Sequence, residues 1–162
     1  VKPKKTAILA SDTGRATAAA HVQRLLASGH RVIAVDPFYF GESRSAQRAF
    51  QFTLLMICVG DRPLGLQASQ LAAVARWTAA EHENVPVTLV GVGPRSSTFA
   101  LIAAALEKKA VAGVELHESL STLKQVIEEN WLVTHRPEMF CFGLLESFDI
   151  KQIAALVAPR PE

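Results

Sequence analysis

The stretch LVGVGPRSS, residues 89–97, joins an apolar run to an alanine-rich segment through a turn that contains two glycines. The run at residues 87–90 is rich in β-branched side chains, which is typical of a buried strand. From residue 96 to residue 108 the apolar side chains recur with the period of a helix. The stretch therefore predicts a strand, a sharp turn and a helix in direct succession.

The same pattern extends along the chain in both directions. Three further β-branched runs predict buried strands at residues 6–10, 31–35 and 111–116. Helical spacing predicts helices at about residues 15–28, 65–82 and 120–130, and at residues 150–157 after the N-cap residue Asp149. Residues 45–59 fit either a helix or, in their second half, a buried strand, and their length favours the helix.

The alternation of strands and helices predicts an α/β fold. We expect three α/β/α layers around a central, mostly parallel sheet with right-handed crossovers. With 162 residues, of which 49% are hydrophobic, the chain is long enough for a single domain with a sizeable core.

Charge and composition narrow the classes of partner. A formal net charge of +2 gives no indication of binding to nucleic acid or to a membrane, and no apolar stretch is long enough to span a bilayer. Cys58 and Cys141 are too few for a disulfide or metal framework, so we expect two buried thiols, no metal site and no cofactor. The chain begins at Val1 without a visible signal peptide, which leaves its localisation open, and free thiols are compatible with the cytoplasm.

The carboxyl ends of the strands are where such sheets bind ligands. The loops at residues 11–14, 36–43, 91–95 and 117–119 meet at that edge. The candidate ligand-edge residues are Ser11, Asp12, Thr13, Asp36, Arg95 and His117. Each also has a local interpretation: the first three cap the first helix, His117 is a structural loop residue, and Asp36, Arg95 and Glu118 form an ion-pair network.

The first half of the chain can also be interpreted as a nucleotide-binding module. A strand leads to Gly14, a helix and a second strand ending in Asp36, near the spacing of a ribose-binding carboxylate. The loop holds one glycine where the G-x-G-x-x-G pattern needs three, and Asp12 would repel a pyrophosphate. A Rossmann-like NAD(P)-binding module using Gly14 and Asp36 remains the alternative hypothesis.

Three segments point to a known family. RVIAVDPFYFGES, residues 31–43, resembles a stretch of α/β-hydrolases that reads approximately V-D-x-R-G-F-G-x-S. VGDRPLGLQASQLAAVARW, residues 59–77, and DIKQIAALVAPRP, residues 149–161, resemble segments of its acetyl-xylan-esterase-like and dienelactone-hydrolase-like members. The segments follow the family's order and span most of the chain. The resemblance implies that the four strands are the central ones of a hydrolase sheet, in the order second, first, third, fourth.

The resemblance also implies which residue occupies the nucleophile position. The family carries its serine at the centre of G-x-S-x-G, on a strained strand-to-helix turn. Gly91 matches the first glycine, Gly93 stands at the centre and Arg95 at the last glycine, while Pro94 removes one backbone N–H. The nearest hydroxyls are Ser96 and Ser97, which are candidate nucleophiles and, more simply, helix caps.

The family's acid and histidine lie beyond the segment where this chain ends. None of the five histidines matches the catalytic position: His21, His30, His82, His117 and His135. The resemblance therefore implies a degenerate or truncated esterase-like domain with little or no hydrolase activity, whose ligand would be a small ester or carbohydrate. An active enzyme that uses Ser96 or Ser97 together with residues of another chain is a further hypothesis.

An incomplete hydrolase sheet would have two open edges. Unpaired edge strands can pair with other chains. We therefore expect a homo-oligomer, or a partner chain that covers the edges of the sheet.

Overall fold

Four parallel strands form one sheet in the order β2-β1-β3-β4. A computed structural model describes residue 3, residues 5–44, residues 49–82, residue 85 and residues 87–157. The strands are β1 (Lys5–Ser11), β2 (His30–Ala34), β3 (Val87–Val92) and β4 (Val111–His117). The α/β class, the parallel sheet and the predicted strand order are confirmed.

Helices flank the sheet and connect its strands. They are α1 (Ala19–Ala27), α2 (Ala49–Cys58), α3 (Pro63–Glu81), α4 (Pro94–Leu106), α5 (Gln125–Glu128), α6 (Leu144–Ser147) and α7 (Ile150–Val157), with short 3-10 turns at Arg15–Thr17, Gly41–Ser43 and Pro137–Met139. None of the described helices is long and apolar enough to cross a membrane.

The pleat of β1 directs alternate side chains into two cores, because successive residues of a strand face opposite sides of the sheet. Ala7 and Leu9 pack with Leu25 of α1. Ile8 and Ala10 belong to the larger core, which contains buried apolar residues of α3 and α4, among them Leu71 and Phe99. Helix α4 is buried on most of its surface and lies over the centre of the sheet, so its N-terminus is fixed against the carboxyl ends of β1 and β3.

The ambiguous segment is helical, as its length predicted. Helix α2 covers Ala49–Cys58, while residues 45–48 lie outside the described part of the chain. Its Thr53 is buried, but Cys58 is exposed and Cys141 is half-buried. The prediction of two buried thiols is therefore wrong for Cys58, because α2 packs along one side only, and it is met only in part for Cys141. The partial burial of Cys141 raises the pKa of its thiol.

Two predicted helices are shorter than their sequence patterns. Residues 15–28 divide into the 3-10 turn Arg15–Thr17 and helix α1. Within residues 120–130 only Gln125–Glu128 is α-helical, because the Gln125 side chain accepts the N–H groups of Ser121 and Thr122 and holds that stretch as a turn.

Asp149 occupies the N-cap position of α7, as predicted, because its carbonyl accepts the N–H of Ile153 at 3.0 Å, the first hydrogen bond of the helix. The Asp149 carboxylate accepts the N–H of Ile150 at 2.8 Å, and it also accepts the N–H of Leu123 at 2.6 Å and the hydroxyl of Thr122. Burial alone would raise the pKa of Asp149, but these hydrogen bonds outweigh it and the pKa is lowered. The carboxylate thus joins α7 to the segment that precedes α5.

Replacing Asp149 by Asn should reduce stability by about 1 kcal/mol at pH 7, because the amide keeps one uncharged acceptor oxygen and turns a donor toward a group that the second carboxylate oxygen accepted. Because the folded-state pKa lies below the unfolded value of about 3.9, the carboxylate stabilises the fold above that value and loses this effect as the pH falls through the folded pKa. Urea denaturation of the wild type and of Asp149→Asn at pH 7 and pH 3 measures this. The difference between the two proteins should shrink at pH 3, and a constant difference would contradict the assignment.

Candidate functional site

The turn between β3 and α4 has the compact geometry that the sequence predicted. β3 ends at Val92, Gly93 has a φ of 96°, and α4 begins at Pro94. A Cβ on Gly91 would lie 2.6 Å from the Cα of Ser97, so strand and helix touch through a position that has no side chain. We refer to Gly91–Arg95 as the elbow turn.

Asp12 holds the N-terminus of α4 from the neighbouring loop. Its carboxylate accepts the N–H of Ser96 at 2.6 Å and the N–H of Arg95 at 3.2 Å. Its own N–H donates to the carbonyl of Val92 at 2.9 Å. A Cβ on Gly93 would lie 2.5 Å from the Cγ of Asp12, so this carboxylate fills the space above the elbow turn.

The predicted capping roles are therefore wrong on both helices. Ser96 and Ser97 lie in the first turn of α4, after Pro94, and they do not cap it. Asp12 caps α4 instead of the first helical segment. The N-cap residues of Arg15–Thr17 and α1 are Gly14 and Ala18, which make no side-chain cap bond, and the N–H of Arg15 donates to Asp36.

The two candidate serines are buried, with different surroundings. The Ser97 hydroxyl is 3.1 Å from the carbonyl oxygens of Gly91 and of His117, which it can bond. The Ser96 hydroxyl has no hydrogen-bond partner among the described residues. In the described part of the chain, neither hydroxyl is bonded to a histidine ring or to a carboxylate that could take its proton.

Ser11 and Thr13 form a short chain of hydroxyls beside Asp12. Ser11 Oγ lies 3.0 Å from Thr13 Oγ1, and the Thr17 hydroxyl lies 2.6 Å from Thr13 Oγ1. These bonds stiffen the loop that presents Asp12.

Asp36 ties the loop after β2 to the loop after β1. Its side chain is only 4% exposed, and its two oxygens accept the N–H of Arg15 at 2.7 Å and the N–H of Glu42 at 2.9 Å. The backbones approach closely here, since a Cβ on Gly14 would lie 2.6 Å from the Cα of Gly41. Both oxygens of Asp36 thus join the loop after β1 to the loop after β2.

Arg95 extends outward from the elbow turn to a segment that the sequence left unassigned. Its Nε is paired with the buried carboxylate of Glu138, and its guanidinium lies 4.3 Å from the ring centroid of Phe40. The predicted network is therefore wrong: Asp36 pairs with Arg15, Arg95 pairs with Glu138, and Glu118 is exposed. The missed partner lies in the turn Pro137–Met139, whose sequence has no periodicity that would reveal it.

The His117 ring contacts His21 and Arg24 of α1. His117 is the last residue of β4, not a loop residue, and its carbonyl accepts the N–H of Gly93 at 2.9 Å. Its Nε2 lies 2.6 Å from Glu115 Oε1, and Arg24 of α1 also bonds Glu115. Burial alone would raise the pKa of Glu115, but the bonds from His117 and Arg24 lower it. His117 thus contributes its backbone, and not its ring, to the elbow turn.

A cavity at the carboxyl end of β2 lies apart from the elbow turn, none of whose residues lines it. It has a volume of about 620 Å³ between the end of β2 and α3, with Arg15, Asp36, Phe38, Gln70 and Val74 among its lining residues. Within the described residues no group of three or more histidine, cysteine or acidic side chains could hold a metal ion.

Comparison of the sequence with protein-family models finds no match, and a search of curated proteins finds none either.

Proposed function

We propose that this chain is a non-catalytic α/β-hydrolase-like domain in which the site of the esterase nucleophile has become a structural junction. The observation that supports this most directly is the Asp12 carboxylate on the N-terminus of α4. In the esterases that the sequence resembles, an acyl group would react at this place.

Ester hydrolysis requires hydrogen-bond donors where the oxyanion develops. Pro94 has no N–H to give, and the N–H groups of Arg95 and Ser96 already bind Asp12. A carboxylate at this position also opposes a second negative charge, because two anions a few Å apart disfavour each other. The N–H groups of Arg95 and Ser96 therefore stabilise the carboxylate of Asp12 and are not free to stabilise an oxyanion.

The nucleophile is the second missing component. Gly93 has no hydroxyl, and a side chain there would overlap Asp12. Ser97 is buried with its hydroxyl on backbone carbonyl oxygens, where it serves to join α4 to β3 and β4. In this proposal the domain acts as a scaffold, and any ligand that it retains is a small ester or carbohydrate that binds without being cleaved.

Treatment with a fluorophosphonate probe, followed by intact-mass analysis and peptide mapping, should give no stoichiometric adduct. Hydrolysis of p-nitrophenyl acetate should not exceed the rate of the heat-denatured chain. An active serine esterase is the positive control for both measurements. A single adduct on Ser96 or Ser97, lost in the matching Ser→Ala variant, would overturn the proposal, because a serine reacts with this probe only when a base activates it.

A further inference from the structure

The outer edge of β2 carries unpaired backbone groups. The N–H of Val35 donates to the carbonyl of Leu9 on β1 at 2.9 Å. Because the N–H and C=O groups of successive strand residues point to opposite sides, His30, Val32 and Ala34 direct theirs away from β1. No described residue pairs with this edge of the sheet.

Apolar side chains flank this edge on both faces of the sheet. On one face Leu26 of α1 is 55% exposed, on the side of α1 opposite to Arg24, which reaches across to β4. On the other face Trp77 of α3 is 56% exposed, one turn beyond Val74, which lines the 620 Å³ cavity. We use the name β2-edge surface for the surface that crosses all three layers here and is formed by Leu26, the edge of β2, Val74 and Trp77.

The opposite edge of the sheet has a different character. On β4, Glu115 and His117 face the side of α1 that carries Arg24 and form a charged cluster with it. Charged side chains at an edge discourage pairing with another chain, because a partner would have to desolvate them. On β2 the permanently charged side chain is Arg31 alone, and the exposed side chains of Leu26 and Trp77 on the helices beside it are apolar, so the β2-edge surface is the better docking surface.

We propose that the β2-edge surface binds a second copy of this chain, with the two β2 strands antiparallel about a two-fold axis perpendicular to the sheet. This rotation reverses the strand direction and keeps each face on its own side. Helix α1 then meets α1 of the second copy and α3 meets α3, so the three layers continue into an eight-stranded sheet.

The strand is self-complementary in this arrangement. With Val32 opposite itself, His30 faces Ala34 and Arg31 faces Ile33, so no two like charges are directly opposed, and the two Arg31 residues are diagonal neighbours. The three outward-facing residues would exchange about six backbone hydrogen bonds. Isologous contacts of this kind form closed dimers.

The flat area of the surface, taken over both copies, reaches the lower limit of a specific interface, about 1,000 Å². An edge of five residues is about 17 Å long, and three layers about 10 Å apart give a height of about 30 Å. The contact area, taken as flat, is then about 500 Å² per copy. This value leaves out the area that the protruding side chains of Leu26 and Trp77 add. A standard-size interface buries about 800 Å² of accessible surface on each partner.

Analytical ultracentrifugation of the chain between about 1 and 100 µM should show a concentration-dependent dimer. The double variant Leu26→Lys/Trp77→Lys should be monomeric across this range, with an unchanged circular dichroism spectrum. Leu106→Lys is the matched control, because Leu106 is 75% exposed at the end of α4, outside the β2-edge surface. This control should remain dimeric. A wild type that is monomeric at 100 µM would overturn the proposal. The edge of β2 would then be covered by a strand of another protein or be exposed to solvent.

A cross-link tests the pairing itself. The Cα atoms of residues opposed in a hydrogen-bonded antiparallel pair lie about 5.5 Å apart, within the range of a disulfide. Val32→Cys in a Cys58→Ser/Cys141→Ser background should give a disulfide-linked dimer on mild oxidation, and Gly113→Cys on β4 should not. A dimer that forms but cross-links through Gly113→Cys would overturn the assignment to β2.

Discussion

Gly91→Ala is expected to destabilise the fold by about 3 kcal/mol or more, which lowers the Tm by about 6–12 °C in a chain of this size. The added Cβ would lie 2.6 Å from the Cα and 2.8 Å from the N of Ser97, and 2.9 Å from the carbonyl oxygen of Ser96. These are backbone atoms of α4, so no side chain can rotate to relieve the overlap. Because α4 packs over the centre of the sheet, the whole helix would have to move.

Gly113→Ala on the adjacent strand is the matched control. A Cβ at Gly113 meets nothing within 4 Å, so this substitution should change stability by no more than about 0.5–1 kcal/mol. Urea denaturation of both variants measures the difference, with m-values to verify that unfolding stays two-state. Equal stabilities of the two variants would mean that β3 and α4 are not in close contact at the elbow turn.

The sheet could be predicted from sequence because its signals are local. Each β-branched run lies next to a helical pattern, and right-handed crossovers allow few arrangements of four such units. The β3–α4 turn was predictable for the same reason: two glycines stand between an apolar run and an alanine-rich helix. The strand order came from the resemblance to hydrolases and agrees with the structure.

The side chains of the site were harder to assign because their partners are distant in sequence. Capping rules favour a serine close to the start of the helix, and so they selected Ser96 and Ser97. Asp12 takes that role from 83 residues away from Arg95, because β1 and β3 are neighbours and their carboxyl ends meet. Given that pairing, an acid directly after β1 could have been recognised as facing the N-terminus of α4.

The pairing of Glu138 with Arg95 could not be predicted from the sequence even with the strand pairing known. Glu138 lies in a short 3-10 turn whose sequence has no apolar period, yet it is buried against Arg95. A buried acid needs a paired cation. Sequence alone offers many arginines for that purpose, and only the packing of the turn selects Arg95.

Asp12→Ala is expected to reduce stability by about 2–3 kcal/mol, which lowers the Tm by about 4–12 °C. The substitution leaves the N–H groups of Arg95 and Ser96 without their acceptor at the N-terminus of α4. Hydrogen bonds to a charged acceptor are worth more than neutral ones, and the helix dipole favours an anion at this end. Asp12→Asn keeps one acceptor oxygen without the charge, so its loss should be about half as large. Thermal unfolding of the three proteins gives this order.

Asp12→Ala also tests whether the Asp12 carboxylate occupies an anion-binding site at the N-terminus of α4. A free helix N-terminus is an anion site, so sulfate should bind Asp12→Ala and restore part of its stability, about 1.4 kcal/mol at ten times its Kd. Sulfate also stabilises proteins in general, and the wild type, whose site is filled by Asp12, measures that general effect. An additional gain confined to Asp12→Ala would mean that the carboxylate occupies an anion site built into the turn. Equal gains in both proteins would mean that sulfate does not bind at the N-terminus of α4 when Asp12 is removed. Asp12 would then not be occupying an anion site.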